Sequence, residues 1–148
     1  MTEGGATGVG ELEGVLENLR ALSGEITTTA VLSGGGELKA STLPQGVDRE
    51  RYSAMLAALA GIARRTAREN GGSGFTQARI RAEEGYVLLV GLEGGETLAV
   101  TTGPDARVGL VLYDMRNARG ELQRVLGSGD GEPEDVGFET DGPGERKQ

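Results

Sequence analysis

The sequence predicts an α+β domain whose elements run α-β-β-α-β-β-β-α. Three segments carry apolar residues at helical spacing, five others are alternating or rich in β-branched residues, and glycine or proline stands at the junctions between them. The chain has 148 residues, the length of one domain, and can bury about two-thirds of the surface its unfolded form exposes.

The first ten residues, MTEGGATGVG, are read as a flexible segment, with neither the basic start nor the apolar core of a signal peptide. From Glu11, Leu12, Val15, Leu16, Leu19 and Leu22 fall on one face of an amphipathic helix. Ile26 to Leu32 is a β-branched run and Glu37 to Thr42 alternates polar with apolar, so both are strands. The glycines between them, Gly34 to Gly36, precede Lys39 and raise the question of a phosphate-binding loop. Such a loop needs Gly-Lys-Ser/Thr leading into a helix. The chain has no Gly-Lys pair, and a strand follows. The glycines are therefore expected to supply positive φ in a hairpin turn.

Pro44 and Gly46 break the chain, Asp48 is placed to cap a helix, and that helix runs to about Asn70, where Gly71 and Gly72 stop it. Three strands follow as an antiparallel meander: Phe75 to Glu83, Tyr86 to Leu92, and Glu96 to Gly103, with a turn at Glu84-Gly85 and another at Gly94-Gly95. The middle strand is apolar on both faces and should be covered on both. After Pro104, Val108, Val111, Leu112, Met115, Leu122 and Leu126 mark one face of a closing helix ending at Gly127. Residues 11–126 thus form the domain.

Residues 127–148 hold seven acids against Arg146 and Lys147, with Val136 and Phe138 as the bulky apolar groups. Such a segment cannot offset its ordering entropy and is expected to be a disordered acidic tail. Asp130, Glu132 and Glu134 do not make a calcium loop, because Pro133 interrupts them and the required glycine and closing glutamate are missing. The tail accounts for most of the formal charge of −8, and residues 11–126 carry fifteen acids and thirteen bases. That near-balance favours neither nucleic acid nor an anionic membrane as a partner. No apolar run reaches the roughly 20 residues of a membrane span, so the expectation is a soluble, cytoplasmic protein with no membrane insertion.

The chain has no histidine, cysteine or tryptophan. That removes the commonest general base, the thiolate nucleophile and most zinc sites. Glu83 and Glu84, adjacent at a strand end, would point to opposite sides and suit a solvated turn better than shared acid–base work. Lys39 and Ser41 share a strand face, but Glu37 shares it too and nothing desolvates the lysine. No catalytic residue, metal or cofactor is expected.

The long helix is unusual in that Ser53 to Ala63 carries no charge. A helix apolar all round is covered on more than one side. Tyr52, Met55, Leu56, Leu59, Ile62 and Thr66 form the bulky face assigned to the sheet, and Ala54, Ala57, Ala58 and Gly61 lie opposite, continuing into Arg64, Arg65 and Arg68. Small residues there either admit a second backbone about a two-fold axis or reflect alanine's helix propensity. In the third strand, Gln77, Arg79 and Arg81 lie outward of Thr76, Ala78, Ile80 and Ala82. Basic residues on an edge strand either guard it against aggregation or accompany pairing with another copy.

With TAVLSGGGELKAST as the first hairpin, YVLLVGLEGGETLAVTT as the last two strands and ARVGLVLYDMRNARGELQRVL as the closing helix, the chain resembles the roadblock/dynein-light-chain family, in particular its prokaryotic MglB-like members. The likeness spans residues 11–126 and rests on the succession of elements. It implies a single five-stranded antiparallel sheet with the long helix on one face and the two terminal helices on the other. It also implies a homodimer built by the long helix and third strand, through Ala54, Ala57, Ala58, Gly61, Gln77, Arg79 and Arg81. The function implied is non-catalytic regulation or scaffolding of a separate Ras-like small GTPase, with Arg64, Arg65 and Arg68 as candidate contacts, although three arginines near a helix C-terminus also complement its dipole. Two other readings stay open: a sensor holding a small ligand against the sheet, for which Thr27 to Thr29 are the candidate buried polar residues, and a plain dimeric adaptor in a larger assembly.

Overall fold

The computed structural model describes residues 2–130, and the side chains of residues 8–127. Its elements are α1 (Thr2–Leu22), β1 (Ile26–Leu32), β2 (Leu38–Thr42), α2 (Arg49–Glu69), β3 (Gln77–Ala82), β4 (Gly85–Gly91), β5 (Thr97–Thr102) and α3 (Val108–Asp130). The order is the one read from the sequence, with longer outer helices. α1 begins at Thr2 instead of Glu11, through glycines that disfavour helix, and α3 passes Gly127 to Asp130. The rest of the expected acidic tail, residues 131–148, lies outside the described residues.

The strands form one antiparallel sheet in the order β2-β1-β5-β4-β3. β5 is inserted between the two hairpins, pairing with β1 from Ile26↔Thr102 to Leu32↔Thr97 and with β4 from Val87↔Thr101 to Gly91↔Thr97. Alternation along each strand divides the side chains between two layers. On one face Val31, Ala40, Leu88, Val90, Leu98 and Val100 pack beneath the apolar stripes of α1 and α3, with Leu16, Met115 and Leu122 fully buried. On the other, Ala30, Leu32, Leu89 and Ala99 receive Leu56 of α2. β4 thus contributes to both layers, as its two-sided apolar pattern requires.

Local chemistry sets the element ends. Asp48 accepts a hydrogen bond from Arg51 N at 3.2 Å and caps α2, and Gly71 follows the C-cap Asn70 at φ 92°. In the β1–β2 turn only Gly36 takes positive φ, at 95°, so Gly34 and Gly35 do not share the role expected of all three. The β3–β4 turn is Glu83-Glu84, one residue earlier than expected, since Ala82 pairs with Gly85. At the start of α3, Glu25 accepts from Arg107 N at 2.9 Å and pairs with its guanidinium at 3.6 Å, tying the α1–β1 loop to the β5–α3 loop.

Candidate functional site

α2 sets the geometry of the candidate site. Leu56 and Ala60 are its buried residues, and on a 3.6-residue helix Ala63 and Ala67 share their line. Met55 and Ile62, expected against the sheet, are instead 41% and 63% exposed. The helix is therefore rolled away from the orientation read from its bulky residues. Its alanines allow the backbone to settle close to the sheet, and the larger side chains overhang toward β3.

Beneath that overhang the sheet is bare. β3 is the edge strand, and its residues facing the α2 side, Ala78 and Ile80, are half-buried and 40% exposed respectively. An open groove of about 450 Å³ separates the two elements, with Leu59, Ile62 and Thr66 on the helix side, Ala78 and Ile80 on the strand side, and Phe75 and Leu89 among its other walls. Leu59, Phe75, Ala78 and Val87 belong to the small core cluster under α2, so the groove is an uncovered extension of that core. The strand edge and the groove together offer what a second protein surface uses: unpaired backbone groups beside apolar side chains.

The sequence-selected residues are not all equivalent. Ala54 and Ala58 are exposed on the outer side of α2 and adjoin Met55 and Ile62. Ala57 and Gly61 are half-buried on the opposite flank, where a Cβ added to Gly36 would stand 3.1 Å from the Ala57 Cβ. Ala57 thus abuts the β1–β2 turn of its own chain. Gln77, Arg79 and Arg81 are exposed on β3, and by alternation they point to the α1/α3 side of the sheet, away from the groove. Arg65 and Arg68 are exposed and Arg64 is half-buried; Arg65 pairs with Glu69 at 3.5 Å, one helical turn along. Met55, Ile62 and Ile80 are the residues missed as surface. The available signal was that the bulky stripe of α2 is wider than a single sheet contact can cover.

The threonines singled out as a ligand-binding possibility are occupied with each other. Thr28 Oγ1 lies 2.5 Å from both Tyr52 Oη and Thr101 Oγ1, Thr27 Oγ1 is 2.7 Å from Thr101 Oγ1, and Thr29 Oγ1 is 2.6 Å from Thr42 Oγ1. These bonds stitch β1 to β2, β5 and α2. Ser41 likewise accepts from Arg49 at 3.2 Å, which leaves no sign of a Ser-Lys pair with Lys39.

Burial pushes the Tyr52 phenol above its ordinary value of 10.0, and the hydrogen bonds to Thr28 and Thr101 act in the opposite direction. The folded state therefore holds this proton more tightly than the unfolded chain does. Its contribution to stability is complete below about pH 10 and is lost as pH rises through the folded value. Above pH 10 the stability of the protein should fall more steeply than that of a Tyr52→Phe variant. Urea midpoints for both, measured across the alkaline range, check this.

The Roadblock/LC7 domain model matches residues 12–102, from within α1 to the last residue of β5. The uncharacterized protein MJ0714 of Methanocaldococcus jannaschii is 34% identical over 116 residues, covering 78% of this chain and 96% of its own. Among solved structures, Myxococcus xanthus MglB superposes with a TM-score of 0.75 at 16% identity, covering 85% of this chain and 95% of that one. A Roadblock/LC7 domain from Streptomyces avermitilis superposes with a TM-score of 0.66 at 22% identity, covering 77% and 96%. At those identities the structures show a shared fold. By the family model, which spans more than half of its length, the chain belongs to the Roadblock/LC7 domain family.

Proposed function

We propose that this protein is a non-catalytic homodimer that binds a Ras-like small GTPase and modulates its nucleotide cycle or localisation. The observation that carries the dimer is the uncovered apolar groove between α2 and β3, continuous with exposed Met55 and Ile62 and bordered by an open strand edge. A second copy related by a two-fold axis would bring the same helix to the same groove and pair β3 with its mate, extending the sheet to ten strands. Ala54 and Ala58 then lie at the helix–helix approach, and Gln77, Arg79 and Arg81 flank the strand–strand seam. Ala57 and Gly61 sit at its margin.

The GTPase partner is supported by the family fold and the likeness to MglB. The exposed outer surface of α2, with Arg64, Arg65 and Arg68 near its end, is the platform proposed to meet it. These arginines lie in or near the helix's last turns, so part of their value is to the helix dipole. The sequence has no phosphate-loop motif of its own, and among the described residues no group of three or more acidic side chains is disposed to hold a metal.

The chain alone is expected neither to bind GTP at micromolar concentration nor to hydrolyse it; calorimetry and phosphate release check both. Added to its cognate Ras-like small GTPase, the protein should change the rate of nucleotide hydrolysis or exchange, and an Arg65→Glu/Arg68→Glu variant should lose the effect while remaining dimeric. A stable complex with no effect on either rate, and unchanged GTPase localisation when the gene is deleted, would leave the plain adaptor reading. The sensor reading is disfavoured by the threonine network, whose hydroxyls are already paired.

A further inference from the structure

On the α1/α3 side of the sheet, the edge carries a strip of arginines. Arg79 and Arg81 alternate along β3 with Gln77, and Gln77 Oε1 accepts from Arg116 of α3 at 3.2 Å, which brings the helix alongside the strand. Arg119 is one turn further on, toward the C-terminal end of α3, on the same side. Arg81 stacks on the Tyr86 ring at 5.2 Å and donates to its hydroxyl. None of the four arginines makes an ion pair with a described carboxylate, although Glu83 and Glu84 sit at the lower end of the strip on the β3–β4 turn.

A chain with a formal charge of −8 that gathers four arginines on one surface asks for an anionic occupant. The chain supplies one. α3 is described to Asp130, and the next eleven residues contain Glu132, Glu134, Asp135, Glu139 and Asp141 with no basic residue, around Val136 and Phe138. Arg116 lies about 21 Å back along the helix from Asp130. Eleven extended residues reach about 35 Å, so the segment can double back along α3 and lie over the strip.

We propose that the strip Arg119–Arg116–Arg79–Arg81 is the docking surface of this chain's own acidic segment, residues 131–141. Several charge-assisted contacts would hold it there, helped by the high local concentration that tethering gives the segment. The docking needs only one chain and does not depend on how β3 pairs.

The test uses the full chain. It lacks cysteine, so Phe138→Cys gives a unique attachment point for a nitroxide, and amide peak intensities of the nitrogen-labelled protein report what the segment approaches. In about 0.01 M salt, peaks of residues 77–81 and 116–119 should lose intensity. They should recover in about 1 M salt, where the Debye length has fallen from about 30 Å to about 3 Å. They should also recover when Glu132, Glu134, Asp135, Glu139 and Asp141 are changed to their amides, substitutions outside the described fold. Broadening that persists in this neutral variant would mean mere proximity to the end of α3 and would overturn the proposal. So would broadening centred on Arg64 to Arg68 of α2, or none on β3.

Discussion

Replacing Ile62 by glutamate should turn the proposed dimer into a soluble, folded monomer. Ile62 is 63% exposed on α2 and lines the groove against β3, so the isolated subunit loses little by the change. In the proposed dimer the side chain is buried, and removing it forfeits about 1.5–3 kcal/mol of apolar burial per copy. A desolvated carboxylate adds at least as much again, and every loss counts twice about the two-fold. Even the lower ends of these terms sum to about 6 kcal/mol, which weakens association about ten-thousand-fold. Sedimentation at micromolar concentration reads the result, with circular dichroism confirming the fold. An intact dimer would exclude this face as the interface. Ala57→Glu, the substitution suggested by the small-residue stripe alone, is less diagnostic, because Ala57 abuts Gly36 and a glutamate there can disturb the hairpin turn as well as a partner.

Gly85→Ala is expected to be the most destabilising single-methyl change in the molecule. Gly85 opens β4 at φ 149°, a backbone conformation that side-chain-bearing residues rarely adopt. A Cβ there would overlap the Thr102 carbonyl oxygen and stand 2.8 Å from its carbon, and Thr102 is the last residue of the central strand. Neither backbone can retreat without breaking the β4–β5 register or the Arg107–Glu25 tie beyond it. The loss should exceed about 4 kcal/mol, beyond the ordinary range for point substitutions, and should appear as a large drop in urea midpoint or as failure to fold. Gly95→Ala, also at positive φ (93°) but with open space where its Cβ would go, is the control and should cost much less.

Most of the fold was legible because each element carries its own period and its own stops. The Leu12–Leu16–Leu19 stripe, the β-branched run Ile26 to Leu32, and Asp48 with Gly71 at the ends of α2 are local signals that packing did not override. The roll of α2 was not legible, for a physical reason. Alanine is compatible with either a close sheet contact or solvent, so Ala60, Ala63 and Ala67 gave no sign that they, and not Met55 and Ile62, would face the strands. The extra turns of α1 were hidden by Gly4, Gly5, Gly8 and Gly10, whose helix propensity is poor. The pairing of Arg116 with Gln77, and with it the arginine strip, joins residues far apart in sequence and follows only from how α3 lies over the sheet.

The insertion of β5 between β1 and β4 imposes a schedule during synthesis. Ile26 pairs with Thr102, so the first hairpin leaves the ribosome with one edge unclaimed and stays so until residues 97–102 follow. At about 5–20 residues per second that wait is on the order of 3–12 s, far longer than the microseconds in which a hairpin forms. During it, the unpaired backbone edges of β1 and then β4 are open to any other extended chain. The short strands and the threonine-rich sequence of β1 keep those edges polar enough to survive the interval. Substituting valine for Thr27 should therefore lower soluble yield in cells more than it lowers the stability of the finished protein.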